Sequence, residues 1–110
     1  MPPAGEAVSL ADLQGLIRTM FGAKDAARGA EGTFLWLAEE VGELAAALRE
    51  DARGGDRANL AAEFADVLAW LATLANIAGV DLSDAVRAKY GGGCPGCGAA
   101  VCACGEAVKP

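Results

Sequence analysis

The chain has 110 residues, which is enough for one small domain, and 54% of them are hydrophobic. Its formal net charge is −6, so nucleic acid and anionic membranes are not expected as partners. It contains no histidine, which excludes the commonest catalytic base and leaves acid–base chemistry to carboxylates, lysine or metal-bound water.

Helical periodicity runs along the first half of the chain. Ser9 and Asp12 predict the start of a helix that ends near Phe21. The glycine-containing stretch "GAKDAARGAEG" then predicts a loop, because glycine weakens helices. A second helix is predicted from Thr33 to Asp51, where "ARGGD" ends it. No stretch of the chain alternates with the period of two that is typical of strands.

The carboxyl-terminal half contains two further predicted helices. A third helix runs from Arg57 to Ala78, and a short fourth one covers "SDAVRAKY" before "GGG" ends it. We therefore predict an all-α domain of about four helices over residues 1–90. A short tail over residues 91–110, rich in glycine and cysteine, follows it.

The third predicted helix is apolar on two sides, and this predicts self-association. One face is an apolar stripe that is expected to pack inside the chain, formed by Leu60, Phe64, Val67, Leu71 and Leu74. The opposite side is lined by Ala62, Ala65, Ala69 and Ala72. A chain this short has too few other helices to cover both faces. We therefore expect a homo-oligomer, either a dimer or a tetramer, with a second subunit on the alanine side.

Two further observations bear on location. The amino terminus lacks the basic and apolar segments of a secretory signal. The longest uncharged helical run, residues 67–80, is shorter than the roughly 20 residues needed to cross a bilayer. These observations predict a cytoplasmic protein without membrane contact.

The second and third predicted helices each carry two acids at a spacing of three residues. Glu40 and Glu43 lie about 60° and 120° to one side of the apolar stripe of their helix, and Glu63 and Asp66 lie at matching offsets from theirs. Neither helix interleaves a lysine or arginine with these acids. Carboxylates that face one another without cations do not all stay ionised. The pattern predicts a Mg²⁺ site, with Mn²⁺ as the alternative ion, whereas a single glutamate of this kind usually belongs to a solvated helix flank.

The motifs "EEVGEL", "EFADVL" and "GVDLSDAVRAKY" resemble those of the MazG-type all-α nucleoside triphosphate pyrophosphohydrolases, over roughly residues 9–90. The resemblance implies an oligomeric bundle of about four helices. It also implies hydrolysis of an NTP or dNTP to the monophosphate and pyrophosphate, including a house-cleaning role against non-standard nucleotides.

The resemblance also implies roles for single residues. Its metal ligands correspond to Glu40, Glu43, Glu63 and Asp66, its base-contacting aromatic residue to Trp70 and its phosphate-contacting residue to Lys89. Many relatives continue after this lysine with Asn and Arg, where this chain has "KYGGGC". For Trp70 the alternative is a core or interface position, and for Lys89 it is a favourable charge near a helix end.

The general base is predicted to be a carboxylate, because no histidine is available. Mg²⁺ lowers the pKa of a bound water, and a nearby carboxylate accepts its proton. Glu39, one turn from Glu43, is a candidate, and Glu43 is the other. A solvated surface position is the alternative interpretation of Glu39.

All four cysteines lie within 11 residues of the tail, at Cys94, Cys97, Cys102 and Cys104. The spacing C-x-x-C followed by C-x-C, with glycine after a cysteine, favours a structural Zn²⁺ site of the zinc-knuckle kind. An iron–sulfur cluster and a redox dithiol are the alternatives, and two disulfides would require an oxidising compartment.

Two other functions stay open from the sequence. The chain would be a non-catalytic, zinc-containing dimerisation module if the acids had no role, although a scaffold has no use for the repeated acid spacing. The second alternative is a metal-dependent hydrolase of another phosphoanhydride, such as an alarmone or a nucleotide-sugar.

Overall fold

The computed structural model describes residues 5–105, and within that range it contains three α-helices and no strand. The helices are α1 (Leu10–Ala52), α2 (Arg57–Ala78) and α3 (Leu82–Tyr90). The prediction of an all-α fold is confirmed. The predicted first and second helices are joined in α1, and the tail after Tyr90 forms turns.

The start of α1 follows from its capping residues. The Ser9 hydroxyl accepts a hydrogen bond from the Asp12 amide at 3.0 Å, and the Asp12 carboxylate accepts one from the Ser9 amide at 3.0 Å. This reciprocal pair satisfies two amides that the first turn leaves without partners. The predicted beginning of the helix is confirmed.

The predicted loop after Phe21 is wrong, because only one residue of that stretch leaves the helix. Gly29 has φ 79° and ψ 175°, a conformation that only glycine adopts readily. It divides α1 into a first arm, residues 10–28, and a second arm, residues 30–52. A straight helix of 43 residues would be about 65 Å long, whereas the longest dimension of the molecule is 43 Å. The break at Gly29 therefore folds α1 into a shape that α2 can pack against.

The turn between α2 and α3 is fixed by a buried glutamine on the first arm. The Gln14 side chain donates to the Val80 carbonyl at 2.8 Å and to the Asn76 side chain at 3.1 Å. Its oxygen accepts from the Leu82 amide at 2.9 Å. Because Gln14 is buried, these bonds attach both helix ends to α1 and satisfy polar groups that would otherwise be costly to bury.

The core of the single chain is small. Its buried apolar residues are Ile17, Ala47, Leu60, Ala72 and Ala75. The accessible surface is 7468 Å², whereas a monomeric protein of this mass has about 5,600 Å². The radius of gyration is 16.4 Å, against about 13 Å for a compact domain of this length. The isolated chain therefore exposes much apolar surface.

The predicted assignment of the faces of α2 is wrong in part. Ala72, predicted to lie toward a second subunit, is fully buried by its own chain. Phe64 and Leu71, predicted to belong to the internal stripe, are 51% and 44% exposed. Periodicity shows that a helix has two apolar faces, but it does not show which face the helix's own chain covers.

Among the helices of the described range, α2 has the length and hydropathy of a membrane-crossing segment, and only 22% of its most apolar window is buried. The same helix carries Glu63 and Asp66 near its middle. Carboxylates at such a depth are costly in lipid. A membrane-crossing position would therefore be costly for α2.

Candidate functional site

Three carboxylates converge where the second arm of α1 packs against α2. Oxygens of Glu40, Glu63 and Asp66 lie within 4.8 Å of one another. We call these three residues the acid cluster. None of the ion pairs formed within residues 5–105 includes a member of the acid cluster. The matching angular offsets in the two helices explain the convergence, because packed helices bring residues on equivalent flanks together.

The electrostatics of the acid cluster are unfavourable for the chain alone. Desolvation raises the pKa of Glu40, and the negative charges of Asp66, Glu63 and Glu43 raise it further. One oxygen of Glu63, Oε2, is buried and has no hydrogen-bond partner among the described residues. A buried acceptor without a partner is rare and requires an explanation. A divalent cation with oxygen ligands fits both observations.

The remaining predicted acids, Glu43 and Glu39, are not among the three converging residues. Glu43 is exposed and is not one of the three converging residues, although its charge is close enough to raise the pKa of Glu40. Glu39 is exposed as well. The roles of Glu43 as a ligand and of both residues as bases stay predictions.

A cleft of about 350 Å³ lies beside the acid cluster, between the first arm of α1 and α2. Asp66 borders it, and Ile17, Phe21 and Trp70 contribute apolar walls. Its other charged residues are Lys24, Asp25 and Arg28. A concave apolar site with a few charged groups at this size suits a small organic ligand.

The two predicted substrate-binding residues are placed differently. Trp70 borders the cleft and stacks on Trp36, with ring centroids 5.9 Å apart and planes inclined by 9°. Lys89 is exposed near the end of α3, with its Nζ 5.4 Å from the Tyr90 ring centroid, and it does not border the cleft. The assignments of Trp70 to a base and of Lys89 to a phosphate stay predictions.

Sequence reasoning missed the charged residues of the cleft because they lie in the segment that was predicted to be a loop. On a helix, positions 21, 24, 25 and 28 share one face. Had the segment been predicted as a helix, this spacing would have placed Lys24, Asp25 and Arg28 on the same side.

The four cysteines form a second cluster in the tail. Their sulfur atoms all lie within 4.8 Å of one another, with Cys94 Sγ 3.5 Å from Cys102 Sγ and 3.9 Å from Cys104 Sγ. All four thiols are free of disulfides. Ligands 2.3 Å from a tetrahedral zinc ion lie about 3.8 Å from one another. The sulfur positions therefore match a tetrahedral thiolate site.

The backbone around the cysteines supports this arrangement. The Cys94 amide donates to the Ala99 carbonyl at 2.8 Å, and the Gly98 amide donates to the Cys94 carbonyl at 2.7 Å. The backbone amides of Ala103 and Ala99 lower the pKa of Cys97 to about 6. Cys97 is therefore largely a thiolate at neutral pH, which is the form that binds metals.

Comparisons with known proteins concern the same region of the chain. A family model described as "MazG nucleotide pyrophosphohydrolase domain" matches residues 28–96, which include the acid cluster but only Cys94 of the four cysteines. The chain is also similar to a protein of Cyanophage S-2L that is named "dATP/dGTP diphosphohydrolase". The two are 38% identical over 81 residues, which is 74% of this chain and 70% of the relative.

Proposed function

Since the chain belongs to the MazG family and is a nucleotide pyrophosphohydrolase, we propose that it hydrolyses an NTP or dNTP to the monophosphate and pyrophosphate with Mg²⁺ at the acid cluster. The convergence of Glu40, Glu63 and Asp66 around a buried oxygen without a partner carries this proposal. Enzymes of this family typically use divalent metal ions.

In this proposal the residues of the chain have separate roles. Glu40, Glu63 and Asp66 hold Mg²⁺, with Mn²⁺ as a substitute and Glu43 as a further ligand. The ion supplies positive charge to the phosphate oxygens and lowers the pKa of the attacking water. Glu39 or Glu43, both exposed, accepts the proton of that water.

The cleft takes the nucleoside. Its volume of about 350 Å³ and its apolar walls suit a base and a sugar, and Trp70 provides an aromatic surface next to Asp66. Because the cyanophage relative is named for dATP and dGTP, purine deoxynucleoside triphosphates are the first substrates to test. Removal of non-standard nucleotides is the proposed role in the cell, and the proposed location is the cytoplasm.

Activity on a panel of canonical and modified NTPs and dNTPs tests this function. With Mg²⁺ the full chain should release pyrophosphate and a nucleoside monophosphate from at least one triphosphate, and EDTA should stop the reaction. Pyrophosphate and orthophosphate are quantified separately. Release of orthophosphate alone would contradict the proposed bond cleavage. If the protein hydrolyses an alarmone or a nucleotide-sugar but no triphosphate, the alternative substrate class is favoured.

We also propose that the enzyme is a homo-oligomer, a dimer or a tetramer, with the exposed apolar side of α2 in the interface. Phe64, Leu68 and Leu71 are 51%, 43% and 44% exposed and share one side of that helix. The surface beyond that of a compact monomer is about 1,900 Å². This exceeds the roughly 800 Å² that each partner contributes to a standard protein–protein interface.

The cysteine cluster is proposed to hold a structural Zn²⁺. The tail has exposed residues on most of its length and few apolar side chains, so it cannot build a core of its own. A metal that binds four thiolates supplies folding free energy directly. The spacing of the sulfur atoms is the observation that favours zinc binding over two disulfides.

We expect the protein purified under reducing conditions to contain about one zinc ion per chain. Replacing Cys94 and Cys97 together by serine should remove the ion and leave the helical content unchanged, because α1 to α3 end before the cysteines. Val101→Ser, at a tail position that is 85% exposed, is the matched control and should keep the zinc. Elemental analysis and circular dichroism measure both properties. Finding iron, or no metal, would refute the zinc assignment.

A further inference from the structure

A nucleoside triphosphate carries about four negative charges, and the acid cluster next to the cleft is itself negative. The cations that border the cleft are Lys24 and Arg28, both on the first arm of α1. Resting on the function proposed above, we propose that Arg28 and Lys24 bind the phosphate chain of the substrate. The two cations would then hold the ligand from the first arm of α1, and the acid cluster would hold it from α2 and the second arm of α1.

Arg28 is held in place before any ligand arrives. Its Nη1 and Nη2 both donate to Oδ1 of the buried Asp25, with Nη1 at 3.0 Å. The other oxygen of Asp25 accepts from the Thr73 hydroxyl at 3.3 Å. The guanidinium carbon lies 4.7 Å from the centroid of the Trp70 ring, a cation–π distance. These contacts fix the orientation of the guanidinium, so little entropy is lost on binding an anion.

Arg28 and Lys24 both keep N–H groups that are available to a ligand. A guanidinium has five N–H groups, and Arg28 uses two of them on Asp25. Lys24 is exposed and forms no ion pair within the described part of the chain. Arginine recognises phosphate oxygens through paired N–H groups, and lysine does so as a point charge.

The local backbone also favours this position of Arg28. A Cβ added at Gly32, four residues further along and beyond the break at Gly29, would lie 2.9 Å from Arg28 Cγ. The absence of a side chain there allows the arginine to lie along the helix surface toward Trp70. Trp70, whose ring the guanidinium contacts, and Asp66 are separated by one turn of α2, about 6 Å along its axis. Arg28 and the acid cluster therefore meet neighbouring turns of the same helix.

The test is binding of inorganic tripolyphosphate, a probe without base or sugar, measured by calorimetry on the full chain with Mg²⁺. Arg28→Gln should weaken this binding about tenfold or more, and Lys24→Gln about threefold to tenfold. Binding of Mn²⁺ alone should not change, and binding of a deoxynucleoside should change less than binding of tripolyphosphate. Arg53→Gln, which removes the same charge from a side chain that is 68% exposed, is the control and should match the wild type.

The outcomes separate this inference from a purely structural ion pair and from the proposed function. Unchanged tripolyphosphate binding in Lys24→Gln and in a folded Arg28→Gln would overturn the inference. Arg28→Gln leaves the buried Asp25 without its cation, which is a risk to folding. If Arg28→Gln unfolds, tripolyphosphate binding by Lys24→Gln tests the phosphate role. A shift confined to deoxynucleoside binding would assign Arg28 to the base and overturn the phosphate role. Weakened tripolyphosphate binding in a protein that hydrolyses no triphosphate would support the inference and refute the proposed function.

Discussion

Glu40→Gln and Asp66→Asn should each lower Mg²⁺-dependent hydrolysis by about a thousandfold while the protein stays folded. Each change replaces a carboxylate of the acid cluster by a neutral amide, so the cluster loses one negative charge and keeps a weaker oxygen ligand at that position. Initial rates of pyrophosphate release measure the effect. Glu31→Gln, an exposed acid on the second arm outside the cluster, is the control and should keep the wild-type rate. Near-wild-type turnover of both cluster variants would show that the site of the chemistry lies elsewhere.

The same Glu40→Gln variant should be more stable than the wild type when no metal is present. The folded-state pKa of Glu40 is raised above its ordinary value of 4.5 by burial and by its acidic neighbours. Its ionisation therefore opposes folding, and this cost grows as the pH rises from 4.5 through the raised pKa. We expect a higher melting temperature for the variant at pH 7 and no difference below about pH 4.5. A less stable variant at pH 7 in EDTA would mean that Glu40 has a favourable partner.

Leu71→Arg should break the oligomer and abolish activity, although Leu71 is not a member of the acid cluster or of the cleft. Leu71 is 44% exposed in the single chain, and burying an unpaired guanidinium in an apolar contact costs several kcal/mol. Sedimentation of the wild type at micromolar concentration should show no monomer, and the variant should be monomeric or aggregated. Val101→Arg, at an exposed tail position, is the control for the added charge. A stable and active wild-type monomer would refute the proposed assembly.

The sequence predicted those features that depend on local chemistry. The capping pair of Ser9 and Asp12 starts α1, and Gly79, with φ 72°, ends α2. The three-residue spacing of the acids predicted their convergence, because helix geometry converts spacing into direction. These predictions needed no knowledge of which elements meet in space.

The features that the sequence did not predict depend on competition between weak preferences. Alanine, lysine and arginine around Gly22 and Gly32 favour a helix strongly enough to offset the cost of both glycines. Only Gly29 leaves the helix, and nothing in its neighbours distinguishes it from the others. The same error hid Arg28 and Lys24. For α2, the side covered by α1 has small residues such as Ala72 and Ala75, whereas the exposed side has Phe64 and Leu71. Both sides are apolar, so periodicity alone did not show which one the chain covers.

The break at Gly29 has a consequence for how the length of this chain can vary. One residue joins the two arms of α1, and each residue of a helix turns its successor by about 100°. Inserting or deleting a residue between Arg28 and Glu40 would therefore rotate Glu40 away from Glu63 and Asp66, or Arg28 away from Trp70. The connection between α1 and α2 is less constrained, because it is not helical. We infer that insertions and deletions are tolerated between these helices. They are not tolerated within the 12-residue segment from Arg28 to Glu40, because its length sets the relative orientation of these two side chains.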